Sequence, residues 1–431
     1  MSLPTVTEIP AATLARPDLA HPTATEARAR AEKLADLHAF ISLTREAGEA
    51  PSVAVKDLIA VRGTVTTAGG IVLPTQPAEA DAPVVARLRR AGCSVVGKTN
   101  LDEFAFGSTS TNPHYGDVRN PHDQSRAAGG SSGGSAVAAA TGMCSFAIGT
   151  DTGGSIRIPS SLCGVVGIKP SLGLVPTGGV IPLSTTLDTV GPIACDLSTA
   201  AAGLELLAEI DVFSVPAAHK AGFRVGVARN WADYLDPTTA SSWALATEGL
   251  PELELPSHVE PSAVGLTILY YEAARYHARR FELMPERYGA KIVAKLQRGL
   301  SVQEDEYLEA RASMSSIRSA YMAAMAGWDA VVTPATACIA PPVETAEDAH
   351  EQLTRYMRPF NVTGQPVVVL PVPAPGLPVG VQVVGRHGRD AELIHVAAAL
   401  ERRWRQLRDA EESRENDALE RGHKQCRVPT V

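Results

Sequence analysis

The chain has 431 residues, 45% of them hydrophobic, and a formal net charge of −8. A pI of about 5.8, a mean hydropathy of +0.01 and the lack of any Lys/Arg-rich run argue against an electrostatic nucleic-acid binder. No run reaches the roughly 18 apolar residues that a membrane span needs. The N-terminal MSLPTVTEIP lacks the basic and apolar regions of a secretory signal, so the expectation is a cytoplasmic protein with a sizeable core. The six cysteines (93, 144, 163, 195, 338 and 426) are scattered, with no CxxC pair. They read as buried thiols rather than a disulfide framework.

In chain order, residues 25–37 form an amphipathic helix with Ala27, Ala31 and Leu34 on one face. A strand is expected over 38–43 and another over SVAVKDLIAV, residues 52–61. Residues 83–91 are helical with proline in the first turn. A strand starts at 94–96. GGSSGG at 129–134 is a loop opening an alanine-rich helix that ends near Gly142, 144–148 is a strand, and TDTGGS is a second glycine loop. This alternation predicts an α/β fold with helices on both faces of a sheet. Residues 200–330 are helix-rich, more charged, and hold most of the tyrosines. VVVLPV at 367–372 and VGVQVVG at 379–385 return to strand and complete the first sheet. The expected organisation is one domain over 1–404: a core at 50–200, a helical insertion at about 200–330 and closing strands at 331–400. A charged tail, either a solvated helix or a frayed end, follows at 405–431.

Two motif matches fail on context. GCSVVGKT at 92–99 fits GxxxxGK[ST], but its four variable residues read as a strand rather than a phosphate-cradling turn. Residues 129–133 fit GxSxG, but the polar PHDQSRAA before them is no central strand, as a nucleophile elbow requires.

The third constellation joins Lys56 to two serines. Lysine is rarely buried without compensation, yet Lys56 stands in an apolar strand. Ser131 and Ser155 sit in glycine-rich turns separated by one helix and one strand, so the chain can double back and bring them together. The run Thr152-Gly153-Gly154-Ser155 follows a strand and opens a helix, which points its N–H groups outward as anion donors. A serine there can attack a carbonyl while those donors hold the oxyanion. Desolvation can lower a buried lysine from about 10.4 to about 7, at a cost near 4.6 kcal/mol, and so make it an amine base. The bland alternatives are that Lys56 pairs with Asp57 or snorkels, and that each loop is a plain turn.

GGSSGGSAVAAATGMCSFAIGTDTGGSIRIPSSLCGVVGIKPSLG, residues 129–173, resembles the signature of the amidase signature family of serine hydrolases. So do VKDLIAVRGTVTTAGG, GKTNLDEFAFGSTSTNPHYGDVRNP, FNVTGQPVVVLP and LPVGVQVVGR, giving a similarity over roughly residues 25–404. The resemblance implies a single α/β/α layered domain with a large mixed β-sheet. It also implies a Ser–cis-Ser–Lys triad: Ser155 as nucleophile, Ser131 after a cis peptide as proton shuttle, and Lys56 as base. The N–H groups of Thr152, Gly153, Gly154 and Ser155 form the implied oxyanion hole. The lead REAGEAPSV and Leu58 depart from a GPLxGIP-like lead and an Asn two positions after the lysine, which changes the pocket wall near Lys56.

The activity this implies is amidohydrolysis of a small carboxylic amide through an acyl-enzyme, with no metal or cofactor. Tyr270, Tyr271, Tyr276, Phe281 and Tyr288 are candidates to line the acyl pocket, or else core residues. The alternatives are a carbamate or urea-derivative hydrolase, the glutaminase subunit of a tRNA-dependent amidotransferase complex, and a non-catalytic binding protein on the same scaffold. A homodimer is expected by analogy, with no nucleic-acid or membrane partner.

Overall fold

A computed structural model describes residues 8–12, 14–214, 222–374 and 376–425, with side chains to residue 407. Its strands in chain order are β1 Phe40–Leu43, β2 Ser52–Lys56, β3 Ser94–Thr99, β4 Arg119–Asn120, β5 Asp123–Ala127, β6 Phe146–Asp151, β7 Val166–Lys169, β8 Thr189–Ala194, β9 Val225–Val227, β10 Ala330–Pro334, β11 Val367–Val372 and β12 Val379–Gly385. Ten of them form one sheet in the order β1-β3-β2-β6-β8-β7-β11-β12-β10-β9, and β4 and β5 pair apart from it. The sheet is mixed: β2 runs parallel to β3 and β6, β9 parallel to β10, and the remaining pairs are antiparallel. Strands from both ends of the chain thus share one sheet, and the short edge strand β9 arises within the region expected to be helical.

The helices are α1 Ala24–Lys33, α2 Pro83–Arg90, α3 Gly133–Ala140, α4 Arg157–Cys163, α5 Leu197–Ala208, α6 Pro237–Thr247, α7 Val259–Leu283, α8 Ala290–Ser301, α9 Glu304–Ala324, α10 His350–Thr354, α11 Pro359–Val362 and α12 Asp390–Gln425. They start where local chemistry favours it. Thr23 and Glu26 form a capping box on α1, Pro83 occupies the first turn of α2, and Asp196 caps α5. Trp404 is buried, and α12 continues past it to Gln425. The end of the predicted tail, 426–431 with Cys426, lies outside the described residues. Four of the five described cysteines are buried, and Cys195 is exposed.

The two faces of the sheet bury different cores. Val53, Val55, Phe146 and Ile148 pack with Leu88 of α2, Leu204 of α5 and Val396 of α12. On the other face Ala54 and Ala147 meet the alanines of α3, while Val331, Val367 and Val384 meet the α7–α9 region. β2 is buried along its whole length, which explains its continuous apolar character. Alternation along the strand sends Val53 and Val55 to the first core and puts Lys56 on the face of Ala54, beneath the start of α3.

Candidate active site

Lys56 is fully buried, and its Nζ donates to three neutral hydroxyls: Ser131 Oγ at 2.8 Å, Ser132 Oγ at 2.8 Å and Thr150 Oγ1 at 2.9 Å. Burial pushes the lysine down to about 7, against the opposing pull of Asp102, Asp151 and Asp188. The pairing with Asp57 that sequence left open does not occur. Asp57 turns to Lys98, with Nζ to Oδ1 2.6 Å, and also accepts from the Thr67 N–H at 2.9 Å. That same contact disposes of the phosphate-loop match, because its lysine is Lys98, buried in β3 and committed to Asp57. The GxSxG match is preceded by β5, a strand, but one that pairs with β4 and bridges Pro342 outside the main sheet.

Ser131 follows a cis Gly130–Ser131 peptide. A Cβ on Gly130 would fall 2.1 Å from Asp102 Oδ2 and 2.7 Å from the main-chain nitrogen of Ser110, so only glycine fits there. Asp102 accepts from the Ser110 N–H at 2.9 Å, and its burial raises it to about 6. The two serine loops do meet: the Ser132 N–H donates to the Ser155 carbonyl at 3.1 Å.

Ser155 sits between the end of β6 and the start of α4, 6% exposed. The loop is shaped around the carboxylate of Asp151, which accepts from Gly154 N–H (2.9 Å), Ile156 N–H (3.1 Å), Arg157 Nε (2.9 Å) and Asn361 Nδ2 (2.8 Å). Burial alone would raise this carboxyl, but the Arg157 charge and the hydrogen bonds outweigh it and hold Asp151 well below the usual range. Arg157 reaches on to Gln382 Oε1 (2.7 Å) and Asn361 Oδ1 (2.6 Å), tying the loop to β12 and α11. One expectation is corrected here. The Gly154 N–H, expected in the oxyanion hole, is taken by Asp151. The N–H groups of Thr152, Gly153 and Ser155 enter no hydrogen bond among the described residues.

A narrow cavity of ≈ 40 Å³ opens over Ser155, walled by Phe106, Ile158, Leu269 and Tyr270 and edged by Lys295, His350 and Arg358. A larger cavity of ≈ 520 Å³ adjoins it across Phe106 and Lys295. Of the aromatic candidates only Tyr270 lines the small cavity. Tyr271, one step round α7, stacks on Tyr307 with centroids 4.2 Å apart. Tyr276 is 37% exposed, and Phe281 packs on Tyr288. Helix geometry accounts for this. Residues 271 and 276 point about 100° and 240° away from 270, and 281 shares its face but lies about 16 Å further along. Tyr288 is buried in a cluster with Phe104 and His277.

Sequence reading missed Asp151, Arg157, Asn361, Gln382, Lys295, His350 and Arg358. One signal was available, the single glutamine in the otherwise apolar VGVQVVG, which breaks its strand as Lys56 breaks β2. Among the described residues no group of His, Cys, Asp and Glu could hold a metal ion, and no helix is long and apolar enough to cross a membrane.

Comparison with known proteins places this geometry. The family model described as Amidase matches residues 17–394. A glutamyl-tRNA(Gln) amidotransferase subunit of Koribacter versatilis (strain Ellin345) is 34% identical over 401 residues, covering 81% of this chain and 83% of that protein. AtzE, a 1-carboxybiuret hydrolase subunit of Pseudomonas sp. (strain ADP), is 33% identical over 378 residues, covering 81% and 82%. A crystal structure of an amidase superposes with a TM-score of 0.82 at 34% identity, covering 88% of this chain and 95% of that one. The shared ten-stranded mixed sheet and a match along nearly the whole chain lead to one conclusion: this protein belongs to the amidase signature family, as a hydrolase or amidotransferase.

Proposed function

We propose that the chain is an amidohydrolase that cleaves the C–N bond of a small carboxylic amide through an acyl-enzyme on Ser155. The observation that carries the reading is the buried Lys56, pushed down to about 7 and hydrogen-bonded to Ser131 without any carboxylate partner. In this reading neutral Lys56 removes a proton from Ser131 as Ser131 takes one from Ser155. Ser155 Oγ bonds to the carbonyl carbon, and the developing oxyanion is held by the N–H groups of Thr152, Gly153 and Ser155. The proton returns through Ser131 to the amide nitrogen, the C–N bond breaks, and ammonia or an amine leaves. Water then repeats the attack on the ester, with Lys56 and Ser131 taking its proton, and frees the acid and Ser155. Residues 1–404 carry the whole site on one domain.

The test is fluorophosphonate labelling of the purified chain with peptide mass mapping, alongside Lys56→Ala. An adduct on Ser155 that is lost without Lys56 is expected. An adduct on Ser131 would overturn the assignment of roles.

A second reading is supported by the amidotransferase relatives: a glutaminase subunit that works beside a partner. The cavity over Ser155 has no Asp or Glu in its own lining to receive the ammonium of glutamine; Asp102 and Glu347 line the adjoining cavity instead. AtzE, whose name describes a carboxybiuret hydrolase, supports carbamate and urea-like compounds as further substrates of the same acyl chemistry. Ammonia release by the isolated chain from simple amides, compared with glutamine, separates these readings.

A further inference from the structure

The cavity over Ser155 is edged by a cation with no counter-charge. Arg358 lies against the nucleophile loop: a Cβ on Gly153 would sit 3.5 Å from both its Nε and its Cγ. Its guanidinium has five N–H donors. Among the described residues two contacts use them, both long and both to neutral groups: Nη1 to Thr354 Oγ1 at 3.3 Å and Nη2 to the His350 ring at 3.5 Å. The Nε is shut off from solvent and has no partner. His350, pushed down to about 4 by burial and by the charges of Arg358 and Lys295, is neutral at pH 7. Burial and nearby Arg298 bring Arg358 itself only to about 10, so it stays charged. Lys295 adds a second cation to the same cavity, its Nζ donating to the Phe106 carbonyl. Buried charges are ordinarily paired. Among the described residues nothing in the lining pairs this one.

We propose that the substrate of this site carries a carboxylate, and that Arg358 is the group that receives it. The inference rests on Ser155 being the nucleophile. Arg358 lies against Gly153, two residues before Ser155, so only a few carbons separate the scissile carbonyl from an anion that it receives. The substrate class is therefore a half-amide of a short dicarboxylic acid. The lining offers two cations and no carboxylate, and the nearest carboxylates, Asp102 and Glu347, lie on the Lys295 side in the adjoining cavity, so an ammonium next to the anion at Arg358, as in glutamine, is received less well.

The test compares kcat/KM of the full chain for succinamate and glutaramate with that for butanamide, pentanamide and glutamine. The half-amides should exceed their neutral analogues by roughly 100-fold, the size expected of a desolvated, hydrogen-bonded charge pair. In Arg358→Met that ratio should collapse through a rise in KM for the half-amides, and Arg358→Lys should keep part of it. Fluorophosphonate labelling of Ser155 in each variant shows that the site is folded. Neutral amides hydrolysed as well as half-amides, or a ratio that Arg358→Met leaves alone, overturns the anion inference while the hydrolase reading stands. Glutamine accepted as well as glutaramate overturns the exclusion of ammonium. A chain whose Ser155 never labels strikes the underlying reading instead. Calorimetric titration of glutaramate into Ser155→Ala then decides the anion site by itself, since no binding, or binding that survives an added Arg358→Met, refutes it.

Discussion

The state of Lys56 fixes a pH profile that can be calculated before it is measured. Burial pushes this lysine from 10.5 to about 7, and its neutral form is the base. At pH 5 about 1% of it is neutral and at pH 8 about 90%, so the rate of Ser155 labelling should rise about 90-fold between them and then level off. A lysine at its ordinary value of 10.5 behaves differently. Its neutral fraction would grow about 1,000-fold over the same interval and go on rising tenfold per pH unit to about pH 10. The plateau, more than the rise, is therefore diagnostic. Single-turnover fluorophosphonate labelling suits the measurement because it reports the first proton transfer without deacylation or product release. Asp102 supplies a check, since its charge pulls Lys56 upward. Asp102→Asn should move the inflection to lower pH. A profile that still climbs above pH 8.5, or one that Asp102→Asn leaves in place, would refute the account of Lys56 as a base made by desolvation.

The same shift has a consequence for stability. Between pH 7 and 10.5 the unfolded chain holds a proton on Lys56 that the folded chain does not, so folding stability rises with pH across that window. Unfolding free energies of the native chain and Lys56→Met should diverge by about 1.4 kcal/mol per pH unit there and run parallel below pH 6. Arg157→Met removes the guanidinium paired with the buried Asp151 carboxylate, and chemical denaturation should show a loss of about 3–5 kcal/mol together with slower labelling of Ser155. Tyr270 and Tyr271 form a matched pair of probes. Tyr271→Ala removes a stack on Tyr307 at the helix surface and should leave kcat/KM within about twofold. Tyr270→Ala opens the wall over Ser155 and should change KM for small amides about tenfold.

What could be read from the sequence depended on whether a residue contradicted its own local environment. Lys56 did so visibly, a charge inside an apolar strand, and its three hydroxyl partners give the contradiction a purpose. The glycine-serine loops were legible for a related reason, since helix–strand alternation left those runs no regular element to join. The sheet followed from the same apolar runs, though β9 did not, being three residues long and held at the edge by β10 and a single bridge to Glu252. The pocket was not legible. On α7 an aromatic residue reads alike on every face, and only the packing of α7 against α8, α9 and α11 decides that Tyr270 faces Ser155 and Tyr271 does not.

Gly154 failed for a different reason. A glycine-rich turn announces outward N–H groups but not which of them an adjacent carboxylate will claim, and Asp151 claims this one. That claim is bound up with the rest of the site. The carboxylate that removes Gly154 from the set of donors also holds Ile156, Arg157 and Asn361, and through Arg157 it reaches Gln382 in the middle of β12. A loop hung on so many buried partners is rigid where it carries Ser155, and preorganised N–H groups stabilise an oxyanion without reorganising at the moment of attack. Gln382 is thus to the nucleophile loop what Lys56 is to the serines: one polar side chain set into an apolar strand, its group fully buried and fully engaged. Lys56 meets Ser131, Ser132 and Thr150, Gln382 meets Arg157, Thr333, Pro334 and Tyr356, and the two sets support the two serine loops from different strands.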